Sequence, residues 1–168
     1  MPEPGPLDEY EAEKFLNSPK TRRMLKKLQT GGPEIESLQD FERHPLYRKA
    51  LRFGTYVHRV SRLYRPRRRK RDPKPVDELV LNAYMTGAMI AAGVGRLDEA
   101  EIGFSIAYLK RSLRATHLAL QALHEIRGAK HFPEKATDHV TRRLISLRDD
   151  VVSEVMVLRQ EWREKFAH

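Results

Sequence analysis

Residues 79–95 form a run of 17 positions without a charge, and no other stretch constrains the fold of this chain as tightly. The run is mostly apolar, with Ala its commonest residue beside Leu, Val, Met and Ile, and such a composition favours helix over strand. A helix that is apolar nearly all round must be covered by neighbouring helices or by lipid. Gly87, Ala91 and Gly95 place a small residue at every fourth position, a spacing that paired helices in bilayers also use. The run is, however, at the lower length limit for a membrane span, and it contains Asn82, Thr86 and three glycines. It is also followed by amphipathic segments that need a bundle partner. The expectation is a buried central helix of a soluble protein, with no membrane segment.

A hairpin of two helices, 77–126, can be built on this run. The second helix of the bundle starts near Pro75, with Asp77 and Glu78 in its first turn, where carboxylates favour the helix dipole. Gly93 and Gly95 are placed to end it through a left-handed residue. Asp98 and Glu101 have the spacing of a capping box for the third helix. In that helix Ile102, Ile106, Leu109, Leu113, Thr116, Leu120 and Leu123 form one seam, and Phe104, Ala107, Ala115, Leu118, Ala122 and Ile126 form another. Two apolar sides mean either one wide core face or a core face plus a subunit interface.

The flanking segments supply two more helices. Residues 45–64 carry Leu46, Ala50, Phe53, Val57, Val60 and Tyr64 at spacings of 4, 3, 4, 3, 4, the pattern of a buried helical stripe. A fourth helix, capped by Thr137 or Asp138, buries Val140, Leu144, Leu147, Val151, Val155, Leu158 and Trp162. No strand pattern competes. The fold class expected is all-α, an antiparallel up-down four-helix bundle over 37–168. Residues 1–36 switch from acidic to basic and read as an N-terminal extension, partly disordered or holding a short helix at 19–28 that ends before Gly31-Gly32-Pro33.

Charge carries the functional signal. Lys and Arg total 32 against 23 Asp and Glu, a net charge of +9. Residues 46–72 alone hold eleven basic residues against the single acid Asp72, a net +10. Arg48, Arg52, Thr55, Arg59 and Arg62 run in a line along the first helix with no interleaved acid to compensate them, so their mutual repulsion calls for an anion or for full solvation. The segment Arg65-Pro66-Arg67-Arg68-Arg69-Lys70-Arg71 follows, in a loop that its prolines and like charges keep from forming helix. The Arg guanidinium matches phosphate oxygens in a bidentate fork, so these residues are the expected contacts to the phosphate backbone of RNA or DNA. Lys110 and Arg114, on a polar stripe of the third helix with His117, Gln121 and His124, are expected to extend the same surface.

Catalytic and cofactor signatures are absent from the sequence. There is no cysteine, which excludes disulfides, thiolate metal sites and cysteine nucleophiles. No Glu-x-x-His pair suits a di-iron bundle, no phosphate-binding P-loop occurs, and Gly93-x-Gly95 follows a helix rather than a strand. No catalytic residue, cofactor or metal ligand is therefore expected. The N-terminus is acidic and Pro-rich, unlike a secretory signal, and a cytoplasmic location is expected. Arg52 with His58, and Arg111 with His117, have a spacing similar to the active motif of HEPN-type ribonucleases, in which Arg and His act on the RNA phosphate. That leaves a ribonuclease, or a protein-interaction scaffold with no nucleic-acid role, as alternatives to a nucleic-acid-binding protein.

One wider resemblance covers about 46–162. A Tyr-containing amphipathic helix, a basic Pro-rich loop, an Ala/Gly-rich helix ending in Gly93-Val94-Gly95-Arg96, and then Ile106-Ala-Tyr-Leu-Lys-Arg-Ser-Leu-Arg-Ala115 follow in order. This resembles the four-helix-bundle family of 23S rRNA intervening-sequence proteins and their relatives, the accessory variability determinants of diversity-generating retroelements. The last helix, with Val157-Leu158-Arg-Gln-Glu-Trp162, is similar to the ending of the latter group. Met89 and Ala92 stand where the intervening-sequence proteins carry Asn and Glu, which favours the accessory group. The resemblance implies a non-catalytic homo-oligomer, a pentamer, that binds nucleic acid beside a reverse transcriptase.

Overall fold

The computed structural model of the chain describes residues 41–65, 71–95 and 101–166, all within one compact unit, Gln39–His168. The extension 1–36, the short helix expected at 19–28, the cap residue Asp98, and Arg67, Arg68, Arg69 and Lys70 lie outside the described residues. Among the described residues the fold is all-helical. A single turn at 41–43 leads into α1 (Pro45–Leu63), followed by α2 (Lys74–Val94), α3 (Ile102–Gly128) and α4 (Glu134–Phe166).

Helix starts follow local chemistry. In α1 the His44 ring caps the first turn, its Nδ1 accepting from the Leu46 N–H at 3.2 Å, and Pro45 occupies the position where a missing N–H costs nothing. α2 likewise has proline in its first turn, with Asp77 close behind. α4 begins one turn earlier than the Thr137 or Asp138 cap expected from sequence, directly after Pro133. Thr137 is buried and its hydroxyl donates to the Pro133 carbonyl at 3.2 Å, while Asp138 pairs with Arg127 at the end of α3. Both side chains serve other partners, so neither stops the helix.

The glycines at the end of α2 also differ from expectation. Gly95 closes the helix at φ −85°, so no left-handed residue ends it. The two glycines are needed for close approach instead. A Cβ on Gly93 would sit 2.8 Å from the Leu109 Cγ of α3, and one on Gly95 would sit 2.9 Å from the Ala91 carbonyl oxygen. Glu101 stands as the N-cap of α3 but makes no side-chain capping hydrogen bond, unlike the capping box expected.

Helix order in space follows from which side chains meet. Ala50 faces Gly87, and Gly54 lies under the Tyr84 ring, so residue numbers on α1 rise as those on α2 fall. His44 meets Glu154 at 3.9 Å, Tyr56 meets His139 with ring centroids 5.4 Å apart, and Tyr64 meets Phe132 at 5.8 Å. α1 and α4 therefore also run antiparallel. Each helix packs on the next in sequence, and α1 closes on α4.

The core between them contains Val57, Leu79, Ile90, Ile102, Leu109, Ile126, Leu144, Leu147 and Val151, all without solvent exposure. Buried hydroxyls do not break it, because several of them find a carbonyl within their own helix. Thr86 donates to Asn82 O at 2.7 Å, Ser112 to Leu109 O at 2.8 Å, and Thr116 to Leu113 O at 2.7 Å.

The first α3 seam is core or partly buried throughout, and the second is half core. Ala115, Ala122 and Ile126 are buried along with Ile102, Leu109 and Leu123, while Phe104, Ala107 and Leu118 stay exposed. The buried half of the second seam widens the core face, and the exposed half lies outside it. Two expectations fail for geometric reasons. α2 is not enclosed, because among the described helices it packs mainly on α1 and α3 and keeps an outer face. Trp162 is not buried, because α4 outruns α1: Glu154 is already level with His44, and the Trp162 ring packs on Phe166 at 5.8 Å instead.

Candidate nucleic-acid interface

α1 presents three kinds of surface around its axis. Its apolar stripe enters the core, and Arg48, Arg52, Thr55, Arg59 and Arg62 run along the opposite side, all exposed. No described carboxylate pairs with any of these four arginines. At the C-terminal end of the helix, Arg65 Nε lies 3.2 Å from Asp72 Oδ1 across the loop, so the one acid of the basic segment is engaged by Arg65. Arg71 is exposed beside it.

Between the arginine stripe and the core, one flank of α1 meets α4 and leaves a cleft of about 430 Å³ lined by Lys49, Arg52, Phe53, His139, Arg142, Arg143 and Ser146. The α4 residues fall at 139, 142, 143 and 146, the i, i+3, i+4, i+7 spacing of a single helix face. The α1 residues 49, 52 and 53 follow the same rule. The antiparallel pairing of the helices sets the two faces opposite one another.

Several of these side chains are held in place before any ligand arrives. The Arg143 guanidinium lies over the Tyr56 ring, 4.1 Å from its centroid, and the ring edge of Tyr56 also meets His139. A cation stacked on an aromatic face loses less freedom when its N–H fork engages an anion. Lys49 Nζ donates to the Ser146 hydroxyl at 2.7 Å and forms an ion pair with Asp150. Asp150 is thus already bound to one of the cleft's cations. Three guanidinium or ammonium groups beyond that pair, plus the His139 imidazole, open on the same groove. A dry apolar ligand would leave these groups without partners, whereas a phosphate or a run of phosphates would satisfy them.

The residues expected from sequence are only partly brought together. Arg48, Arg52, Arg59 and Arg62 share one face of α1, and Arg52 joins it to the cleft. Lys110 and Arg114 do not extend that surface. They are exposed on α3, whose main packing partners are α2 and α4 rather than α1. Lys49, His139, Arg142 and Arg143 were not anticipated as site residues. Their helical spacing was readable on each helix separately, but nothing in the sequence states that α1 and α4 are neighbours.

The geometry separates the pairs that suggested a ribonuclease. Arg52 lines the α4 side of α1, whereas the His58 ring lies against Tyr84 of α2, centroids 6.3 Å apart. The two side chains thus face different neighbouring helices. Arg111 and His117 are likewise six residues apart, about 120° around a helix, and His117 is within 3.3 Å of Gln121 on its own face. Among the described residues no group of His, Asp or Glu could hold a metal ion. No described helix is long and apolar enough to cross a membrane. No protein-family model, curated protein or solved structure matches the chain.

Proposed function

We propose that this protein is a non-catalytic nucleic-acid-binding protein that holds a phosphate backbone against the α1/α4 side of an up-down four-helix bundle. The observation that carries this is the cleft itself: Lys49, Arg52, His139, Arg142 and Arg143 converge on it, and no carboxylate is among its lining residues. The exposed stripe Arg48, Arg59 and Arg62 continues it along α1, which gives a strand several phosphates long a path of positive charge. The short links between successive helices, and the antiparallel pairing of α1 with both α2 and α4, support the up-down topology.

Binding of this kind is driven by release of counterions, so it is steep in salt and nearly indifferent to base sequence. The test is fluorescence anisotropy with a labelled single-stranded RNA, and with the same sequence as DNA, between about 50 and 300 mM salt. Orders of magnitude of affinity should be lost across that range, and the RNA should remain intact. Micromolar or tighter binding that ignores salt would overturn the proposal.

The protein acts in this role as a homo-oligomer, of five chains by its resemblance to the accessory variability determinants. By the same resemblance its protein partner is a reverse transcriptase, and the lack of cysteine fits a cytoplasmic location. Co-purification with a polymerase from its own genomic neighbourhood tests that partnership. The scaffold alternative differs in one respect: its oligomers would be indifferent to RNA.

A further inference from the structure

The α1/α4 cleft and its arginine stripe offer cations to a ligand but no ring on which a base could stack. The Phe and Tyr rings of α1 and its C-cap are already engaged. Phe53 is buried, Tyr47 sets its ring against Phe41 with centroids 4.8 Å apart, and Tyr64 packs on Phe132. Tyr56 lies beneath the Arg143 guanidinium, with His139 at its edge. Among the described residues the exposed Phe, Tyr and Trp side chains are Tyr84 on α2, Phe104 on α3, and Trp162 and Phe166 at the C-terminal end of α4. None of these lines the cleft. The sequence that links α1 to α2, Pro66 to Lys70, adds four cations and no aromatic residue.

A flexible single strand laid along a straight helix must be ordered. Proteins that hold single strands offset that cost with about 1–3 kcal/mol for each base stacked on an aromatic side chain, and this surface returns nothing of the kind. A double helix needs no such return, because its bases already stack on one another and its persistence length is about 50 nm. It also carries the denser charge. Counting both strands, there is about one phosphate per 1.7 Å of axis, and each one neutralised contributes about −0.9 to the slope of log affinity against log salt, compared with about −0.7 for a single strand. The stripe from Arg48 to Arg62 covers about 21 Å of α1 at 1.5 Å per residue, and a stiff rod stays alongside a straight row of cations over that length. Arg142 and Arg143 stand across the cleft from Arg52, so phosphates on both edges of a groove can be met at once.

We infer that the preferred ligand of this surface is a double helix, of RNA or of DNA, held from outside by its phosphates, and that a single strand is the weaker ligand. The inference rests on the phosphate-binding reading above and specifies the form of polyanion that the surface takes. Contacts to phosphate alone leave the order of the base pairs unread.

Fluorescence anisotropy at low salt tests this with a labelled RNA strand that lacks self-complementarity, measured alone and annealed to its complement, and with the same two samples as DNA. Each duplex should bind about tenfold or more tightly than its labelled strand, since the missing stacking of a single base is already worth that much. Doubling the number of phosphates gives only about twofold by counting alone. Tyr84→Ala and Trp162→Ala should leave both affinities unchanged, because no base stacks on either ring. Strands bound as tightly as their duplexes, with affinity still falling steeply between about 50 and 300 mM salt, would overturn the inference and leave phosphate binding standing. A single-strand affinity that falls in either variant while the duplex affinity holds would also overturn it, by placing bases on that ring. Failure of strand and duplex alike to bind at low salt would overturn the proposed function together with the inference.

Discussion

α1 and α2 are similar in length, run antiparallel to each other and bury one face each in the same core, but their outer faces carry opposite chemistry. On α1, every exposed residue of the stripe is Arg or Thr. On α2, the exposed residues from 79 onward are Leu, Tyr, Met and Ala. The helical scaffold demands neither, because exposed positions on a stable helix tolerate most residues within about 0.5 kcal/mol. Uncompensated repulsion along α1 and exposed apolar surface along α2 each cost something in an isolated chain. The contrast teaches that helix formation and core packing leave these outer faces undetermined, so their chemistry points beyond the fold, and the proposal assigns an anion to the α1 side.

The comparison can be broken or sharpened by substitution. The largest effect should come from the core that supports both faces. Leu144→Ala removes a side chain with no solvent exposure and should destabilise the fold by about 2–5 kcal/mol in urea unfolding, weakening both activities through the fold. Replacing Gly93 with Val should cost about 1–3 kcal/mol in the same assay, because its Cβ would fall 2.8 Å from Leu109 Cγ and α2 would be pushed away from α3.

Changes confined to one face should leave stability nearly untouched. The triple variant Arg52→Ala, Arg142→Ala, Arg143→Ala loses three charge-assisted contacts of about 1 kcal/mol each at an exposed site, so RNA affinity at low salt should fall on the order of 100-fold. Self-association should be unaffected in that variant. The smallest effect belongs to Lys110→Ala with Arg114→Ala on α3, less than about threefold in affinity, because α3 packs mainly on α2 and α4 rather than on α1. Equal losses from the two sets of substitutions would mean that nucleic acid senses only net charge.

Much of the scaffold was legible in the residues. The 4-3-4-3 spacing of Leu46, Ala50, Phe53, Val57 and Val60 placed the buried side of α1, and Val140 through Leu158 did the same for α4. Pro45 marked the first turn of α1. What sequence periodicity cannot report is which helix lies beside which. The arginine stripe is a property of α1 alone and was readable, whereas the cleft exists only because His139, Arg142 and Arg143 face Lys49 and Arg52 from another helix. For the same reason Lys110 and Arg114 looked like an extension of the stripe and are not. Gly93 and Gly95 suggested a left-handed helix end, since local sequence reveals a glycine but not the Leu109 side chain that requires it.

The most direct measurement is the salt dependence of single-stranded RNA affinity for the wild-type protein and for the Arg52/Arg142/Arg143 triple alanine variant. Each phosphate contact to a single strand contributes about −0.7 to the slope of log affinity against log salt. The slope should become shallower by about 2 in the variant, at unchanged stability and unchanged oligomeric mass. Identical slopes for the two proteins would contradict a phosphate-binding role for the α1/α4 cleft.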